Sequence, residues 1–414
     1  MPHASAYKAP PPVGRLSHNP TALTLLLIAT LTVMANATIS PALPGIAASF
    51  SQQPHAKWLT SLLVSAPSAS VILVAPFCGW LADQYGRRAL LLSGLLLFAL
   101  AGSAGLYLPT LWTILASRLL LGIAVALIMS TQTALIGDLF SSQHRNILMG
   151  LQTSARNLGG LCFISLASLL ALFSPFLPFA VYKLSLFVMP FAFRTIPSQA
   201  TTHVNSEAGS GDVATPRPPQ VSSFHLLFLG ILLLQMATNT LFFVMPTQIP
   251  FILGAKGFNS PTTTGLALGS VMLAGGLSAV FYARLRKLLG ASAVLAAAFL
   301  LMAVGFAALP SRSLIAILCA SGLIGAGYAL AMPAFPAIML SIVPAHRRGL
   351  CSGLLTTSVF MGQVLSVFIS MPLFKAVGED ATLRIFSMLC LVLTTGLALA
   401  HGTRQLQEQK IKRP

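Results

Sequence analysis

Long apolar runs alternate with short polar segments along almost the whole chain. Twelve of these runs are long enough to cross the hydrocarbon of a bilayer, which takes about 20 residues of α-helix. Because backbone polar groups find no water in lipid, each run is predicted to be a helix. The predicted spans are 22–49, 58–82, 89–109, 111–137, 147–171, 175–194, 223–253, 262–284, 291–309, 313–335, 349–374 and 382–401.

The composition supports a chain that is solvated by lipid. Of its 414 residues, 56% are apolar and only 7% are charged, whereas a soluble domain carries about 25% charged residues. A formal net charge of +17 would suggest nucleic acid in a soluble protein, but little exposed surface remains, so no nucleic-acid partner is expected. The five cysteines stand singly in apolar segments, so neither a metal site nor a disulfide framework is predicted.

Basic residues are distributed unevenly between the two ends of the predicted spans. With a cytoplasmic N-terminus, 16 lysines and arginines fall in cytoplasmic segments and five on the opposite side. Because basic residues concentrate in cytoplasmic loops, both termini are predicted to be cytoplasmic. The expected organisation is a cytoplasmic tail (1–20), a six-helix half (21–194), a cytoplasmic linker rich in Ser, Thr, Pro and Gly (195–222), a second six-helix half (223–401) and a basic cytoplasmic tail (402–414).

The two halves share a sequence pattern. A segment that begins at Arg145 recurs at Arg348, as Arg-x4-Gly-Leu-x-Thr-Ser and Arg-x4-Gly-Leu-x-Thr-Thr. The same offset of 203 residues pairs Gly122 with Gly325, Met129 with Met332 and Asn36 with Asn239. A common offset in several spans indicates an internal repeat, which is typical of transporters that hold substrate between two halves.

The segment between the second and third spans reads Gly79-Trp80-Leu81-Ala82-Asp83-Gln84-Tyr85-Gly86-Arg87-Arg88. Gly79 would let a neighbouring helix approach closely, and Gly86 permits a turn with positive φ. Asp83 lies near the N-terminus of the next helix, whose dipole favours an anion. The segment is therefore predicted to be a tight charged turn at the membrane surface.

This segment resembles the signature loop of the major facilitator superfamily, G-x-x-x-D-x-x-G-R-[RK]. The resemblance implies an all-α integral membrane protein of twelve transmembrane helices in two pseudo-symmetric six-helix halves, with both termini cytoplasmic. Its substrate would lie near the midplane between the halves. The segment of the first span from Thr32 to Pro44 resembles the first span of bacterial efflux proteins, which implies export.

The resemblance also implies a cytoplasmic gate, in which an arginine of the loop pairs with an acid at the end of span four and locks the outward-open state. Asp138 occupies that position here. Arg87 or Arg88 is therefore expected to pair with Asp83 and Asp138. The alternative is an exposed ion pair that contributes about 0–1 kcal/mol.

Three basic residues fall inside predicted spans. Arg118 stands four residues before Gly122 and resembles the family's span-four arginine, which is implicated in proton coupling; the alternative is that it snorkels to the surface. Arg156 lies near the middle of span five, where antiporters of the family often carry Gly-Pro, and this departure weakens the antiporter assignment. Lys183, in span six, would either snorkel or bind substrate.

The acids and histidines lie elsewhere. All seven acids, Asp83, Asp138, Glu207, Asp212, Glu379, Asp380 and Glu408, are outside the deep parts of the spans, and so is every histidine. Buried cations without a buried anion favour an anionic substrate. The candidate substrate-binding or coupling residues are Arg118, Arg156 and Lys183 with the polar residues Asn36, Gln132, Gln152, Gln235 and Asn239, although such polar residues also join helices to one another.

No phosphate-binding loop, zinc-protease motif or nucleophile elbow occurs in the chain. ATP, another cofactor and enzymatic activity are therefore not expected. The sequence predicts a monomeric secondary exporter in the bacterial cytoplasmic (inner) membrane, surrounded by lipid, for a small organic anion such as a polycarboxylate siderophore. The alternatives are a broad-specificity drug–proton antiporter and an importer of organic anions.

Overall fold

The computed structural model describes residues 19–140, 142–197, 221–342 and 348–411. This part of the chain contains twelve helical segments that are long and apolar enough to cross a membrane, which confirms the predicted number of spans. Most of the expected N-terminal tail and linker, 1–18 and 198–220, lies outside the described residues. The expected tail 402–414 continues the last helix as far as Ile411, because its residues are good helix formers.

The first six spans are built from seven α-helices and three short 3₁₀ segments. In the first span, α1 (Pro20–Ala37) and α2 (Leu43–Ser49) flank a 3₁₀ turn, Ser40–Ala42. The next four spans are α3 (Ala56–Tyr85), α4 (Arg87–Ser103, followed by the 3₁₀ turn Ala104–Leu106), α5 (Leu111–Leu139) and α6 (Ser142–Ala171). The sixth span, predicted as one helix, consists of the 3₁₀ helix Leu177–Leu184 and α7 (Ser185–Thr195).

The last six spans are formed by α8 (Val221–Ala255), α9 (Pro261–Leu289), α10 (Ala291–Ala308), α11 (Leu314–Ala331) with α12 (Ala334–Ile342), α13 (Arg348–Val377) and α14 (Glu379–Ile411). The tenth span is interrupted between α11 and α12, beside Pro333. Proline interrupts helices because it lacks a backbone N–H and its ring clashes with the preceding turn. In contrast, α8 continues through Pro246 and Pro250.

The helices pack in the same order in both halves. The pairs α3–α5, α4–α5, α1–α6 and α4–α7 of the first half correspond to α9–α11, α10–α11, α8–α13 and α10–α14 of the second. Between the halves, α3 packs on α13 and α6 packs on α9. Since α3 corresponds to α9 and α6 corresponds to α13, these two contacts are equivalent, as expected of two pseudo-symmetric halves.

The paired glycines occupy equivalent close contacts. A Cβ added at Gly122 would lie 2.1 Å from the carbonyl oxygen of Pro67, and one added at Gly325 would lie 2.3 Å from that of Val271. The first contact joins α5 to α3 and the second joins α11 to α9. The sequence offset of 203 therefore corresponds to a structural repeat.

Two further glycines turn the chain between antiparallel helices. Gly86 separates α3 from α4 with φ 84°, and Gly290 separates α9 from α10 with φ 82°. The predicted positive φ at Gly86 is thus confirmed. We call the end of the bundle at which Gly86, Asp138 and Thr195 lie the linker end, and the opposite end, with His55, Gly257 and Gly378, the far end.

Candidate substrate-translocation site

An ion pair joins two helices at the linker end of the first half. Arg87 Nη1 pairs with Asp138 Oδ2 and also donates a hydrogen bond to the Ala134 carbonyl oxygen at 2.9 Å. The two charged side chains are 19% and 33% exposed, so water screens them only in part. The pair joins the start of α4 to the end of α5, both in the first half, and its role in gating stays a prediction.

The second arginine of the loop contacts another helix. Arg88 donates a hydrogen bond to the Phe193 carbonyl oxygen, and its guanidinium lies 4.3 Å from the centre of the Phe193 ring. It therefore attaches α4 to α7 and is not seen with Asp138. The side chain of Asp83 and the surroundings of Gly79 lie outside the described residues.

Arg118 is enclosed by two aromatic rings. It is fully buried, and its guanidinium carbon lies 4.7 Å from the ring centres of both Phe179 and Tyr182. Among the described residues, none of its three side-chain nitrogens makes a hydrogen bond of ordinary geometry. A cation over aromatic faces is stabilised by the ring quadrupoles. The alternative that Arg118 snorkels to the surface is wrong.

Small residues make room for these rings. A Cβ at Gly102 would lie 2.5 Å from Tyr182 Cγ, and one at Gly105 would lie 2.3 Å from Phe179 Cε1. The Tyr182 hydroxyl donates to the Met34 carbonyl oxygen at 2.7 Å and so connects the Arg118 enclosure to α1. The sequence reasoning missed both aromatic residues, although their i, i+3 spacing places them on one face of a 3₁₀ helix.

The two other buried-cation candidates differ from Arg118. Lys183 is exposed, next to buried Tyr182 on the same 3₁₀ helix, so it does not join the Arg118 enclosure. Arg156 is half-buried in the middle of α6, and its buried Nε has no hydrogen-bond partner among the described residues. The structure therefore distributes the three cations over three separate environments.

A polar cluster joins the two halves in the middle of the bundle. Gln363 Oε1, on α13, accepts hydrogen bonds from Asn36 Nδ2 at 3.1 Å and from Ser68 Oγ at 2.5 Å. These donors belong to α1 and α3, so one amide oxygen connects three spans. Asn36 Oδ1 has no partner among the described residues. The sequence reasoning missed Gln363 and Ser68, although Gln363 is a polar residue in an apolar span.

Asn239, the repeat partner of Asn36, bonds only within the second half in the described structure. Its Oδ1 accepts from the Tyr328 hydroxyl at 3.0 Å, and its Nδ2 donates to the Gln235 carbonyl oxygen at 2.9 Å. Phe242 stacks on Tyr328 at 3.7 Å. The predicted repeat is present, but the two asparagines have different partners.

The remaining polar candidates are buried. Gln132 is 1% exposed and donates from Nε2 to the Leu25 carbonyl oxygen, which ties α5 to α1. Gln152 and Gln235 are also buried, and the side-chain oxygens of Gln132 and Gln235 lack partners among the described residues. Gln132 thus joins two helices of one half, as the alternative interpretation of such residues expects.

Both halves of the chain match one family model. The sequence model of the Major Facilitator Superfamily matches residues 25–258 and 227–413. The chain belongs to the Major Facilitator Superfamily. The two matched ranges together cover both six-helix halves.

Individual members resemble the chain over short stretches. Inositol transporter 4 of Arabidopsis thaliana is 30% identical over 111 residues, which are 27% of this chain and 19% of that protein. The Bacillibactin exporter of Bacillus subtilis (strain 168) is 32% identical over 126 residues, 29% of this chain and 31% of that protein. Each match thus spans less than a third of the relative. Other relatives carry the names of multidrug efflux and xylose transport proteins.

A solved structure matches the fold over nearly the whole chain. The nucleoside transporter NupG superposes with a TM-score of 0.71 and 12% sequence identity, covering 92% of this chain and 99% of that one. At this identity the likeness concerns the fold alone. The chain is therefore a multi-pass membrane protein of this family, and the relatives that it matches are named as transporters.

Proposed function

We propose that the protein is a secondary active exporter of a small organic anion, such as a polycarboxylate siderophore-like metabolite, in the bacterial cytoplasmic membrane. The observation that carries the proposal is the position of Arg156. It is a half-buried cation in the middle of α6, and its buried Nε lacks a partner among the described residues. Ionisable groups at such depth are costly and are commonly functional.

Arg156 lies on the face of α6 that meets the second half one turn further along. It shares a helix face with Gly160, one turn further along α6, because residues i and i+4 are neighbours. A Cβ at Gly160 would lie 3.1 Å from Met272 Sδ, in α9 of the second half, and 3.1 Å from Val33 Cγ1 in α1. Transporters with paired halves hold their substrate at this interface, so Arg156 is suitably placed to meet a negative charge.

The distribution of acids supports an anion over a cation. In the described part of the chain, Asp138 is paired with Arg87, and Glu379 and Asp380 lie at the far end. No carboxylate of the described residues lies in the middle of a span, where a cationic drug would need one. Arg118 is enclosed by aromatic rings, which leaves Arg156 as the better candidate for direct contact with substrate.

The direction of transport is inferred from charge. The excess of lysine and arginine at the linker end supports a cytoplasmic linker end, and an inside-negative potential drives an anion outward with about 2.3 kcal/mol per charge per 100 mV. Relatives named as a bacillibactin exporter and a multidrug efflux pump also support export. The orientation can be tested with a membrane-impermeant maleimide, which should label a Ser51→Cys variant in intact cells because the far end would face outward. Labelling only after permeabilisation would show that the far end faces the cytoplasm and would contradict this orientation.

The test is an untargeted comparison of spent medium from a deletion strain carrying wild type, Arg156→Gln or Arg284→Gln. Arg284 is an exposed arginine on α9 and serves as the matched control. We expect an organic anion that is exported with wild type and Arg284→Gln but not with Arg156→Gln, while the melting temperature of purified Arg156→Gln stays near that of wild type. Export should be lost because Arg156→Gln removes the positive charge that would bind the anionic substrate.

Other outcomes would contradict the proposal. Normal export by Arg156→Gln would show that Arg156 does not bind the substrate. A much lower melting temperature of this variant would show that Arg156 has a structural role. An unchanged medium together with greater sensitivity of the deletion strain to cationic drugs would instead favour the drug–proton antiporter.

A further inference from the structure

A cavity lies at the far end between the halves, and Arg156 is not among its lining residues. Its volume is about 800 Å³, and its walls come from the start of α3, the end of α8 and the end of α13. Ligand pockets of about 300–1,000 Å³ accommodate drug-sized molecules. The cavity is therefore large enough for a small organic ligand that touches both halves.

The polar lining of this far-end cavity is rich in hydrogen-bond donors. Lys57, Lys375 and His55 line it together with one acid, Glu379. Gln248 also lines the cavity; it is 2% exposed, and its Nε2 has no hydrogen-bond partner among the described residues. A buried amide N–H₂ without a partner is unfavourable, so an acceptor supplied by a ligand would satisfy it. Two ammonium groups and a free amide donor suit a carboxylate.

The apolar lining is aromatic. Trp58, Phe251 and Phe374 contribute to the walls. Lys57 Nζ lies 5.0 Å from the centre of the Phe251 ring, and Trp58 meets Phe368 of the other half edge-on at 5.8 Å. Aromatic side chains bind flat rings by stacked and edge-on contacts. The cavity thus combines cationic donors with surfaces that suit an aromatic ring.

The backbone at the cavity mouth is strained. Among the described residues, His55 is the one non-glycine residue with positive φ, at φ 63° and ψ 24°. Residues in such conformations persist where the surroundings hold them, and they cluster at ligand sites. This conformation fixes His55 beside the lysine that follows two residues later.

We propose that the far-end cavity is a binding site for an aromatic carboxylate, separate from the site at Arg156. The carboxylate would lie against Lys57, Lys375 and Gln248 Nε2, and the ring against Trp58 and Phe251. Because α3 belongs to one half and α8 and α13 to the other, a ligand in this cavity joins the halves at the far end. Binding in this cavity is argued from the residues that line it, and it does not require the proposed direction of transport.

The proposal is tested by calorimetric titration of the purified full-length protein with 2-naphthoate and with its neutral analogue 2-naphthamide. We expect 2-naphthoate to bind and 2-naphthamide to bind at least tenfold more weakly. Lys57→Gln, Lys375→Gln and Gln248→Leu should each raise the Kd for 2-naphthoate about tenfold, since each removes a charged hydrogen bond. Arg312→Gln, which removes an exposed far-end cation outside this cavity, should leave the Kd unchanged.

Several results would overturn the proposal. They are no measurable binding of 2-naphthoate, equal binding of the two probes, and an unchanged Kd in both lysine variants whose melting temperatures equal that of wild type. Loss of binding in Arg156→Gln with normal binding in the lysine variants would place the only 2-naphthoate site at the midplane. That last result would contradict the far-end site and leave the proposed export of an anion standing.

Discussion

Gly122 shows at the scale of a single residue how the absence of a side chain sets a helix contact. A Cβ at this position would lie 2.1 Å from a backbone oxygen of α3, which no side-chain movement can relieve. Gly122→Ala should therefore destabilise the protein by about 1–3 kcal/mol, as overpacking does elsewhere. The measurement is the melting temperature of the purified protein in detergent.

The matched control is Gly230→Ala. Gly230 lies within α8, and nothing stands within 4 Å of a Cβ added there. This variant should be neutral or slightly more stable, since glycine inside a helix costs about 0.5–1 kcal/mol relative to alanine. Equal melting temperatures for Gly122→Ala and Gly230→Ala would show that the contact at Pro67 does not limit stability.

Sequence reasoning at this scale identified positions better than partners. The offset of 203 residues paired Gly122 with Gly325, and the structure gives them equivalent contacts. It also paired Asn36 with Asn239, yet Asn36 bonds across the halves and Asn239 bonds to Tyr328. A glycine contact depends on helix spacing, which the repeat conserves, whereas a hydrogen bond depends on which polar side chain happens to face it.

At the scale of helices, the Arg87–Asp138 pair has an unfavourable orientation. Arg87 is the first residue of α4 and Asp138 stands next to the last residue of α5, whereas helix dipoles favour anions at N-termini and cations at C-termini. The exchanged pair, R87D with D138R, should therefore be at least as stable as the natural one. Each single variant should be less stable, because like charges then face each other.

The comparison of stability with transport tests the gating prediction. Melting temperatures of the two single variants and the double variant give the coupling between the positions, which we expect to be about 0.5–3 kcal/mol. A double variant that is stable but does not transport would indicate that the natural orientation serves gating. Full transport by the exchanged pair would mean that the contact only joins α4 to α5.

The positions of the helices were easier to predict than whether each segment is an α-helix or a 3₁₀ helix. Hydropathy located all twelve spans because each must bury its backbone in lipid. It did not distinguish the 3₁₀ helix Leu177–Leu184 from α-helix, since both are equally apolar. Phe179 and Tyr182 would share a face in either kind of helix, but the sequence does not show that Arg118 of α5 packs against this face.

At the scale of the whole molecule, the halves meet through α6 on α9 and through α3 on α13, and Gln363 lies in the second of these contacts. Gln363 joins α13 to α1 and α3, and further toward the far end Ser61 Oγ lies 4.0 Å from Met371 Sδ and Trp58 meets Phe368. Alternating access requires the halves to separate at one end at a time. Gln363 is therefore expected to hold the far end closed.

Gln363→Leu tests this expectation, because it removes both hydrogen bonds and replaces the amide with an apolar side chain of similar size. If the two bonds together contribute about 1–2 kcal/mol, the ratio of far-open to far-closed molecules should rise about fivefold to thirtyfold. Spin labels at Ser51→Cys and Asn259→Cys, exposed far-end positions in different halves, would report this as a larger fraction of long distances once the native cysteines are replaced. Ser366→Ala on the same helix is the control, since the Ser366 hydroxyl has no partner among the described residues and its loss should leave the distances unchanged. An unchanged distribution in Gln363→Leu would mean that the polar cluster does not keep the far end closed, and that other contacts between the halves do so.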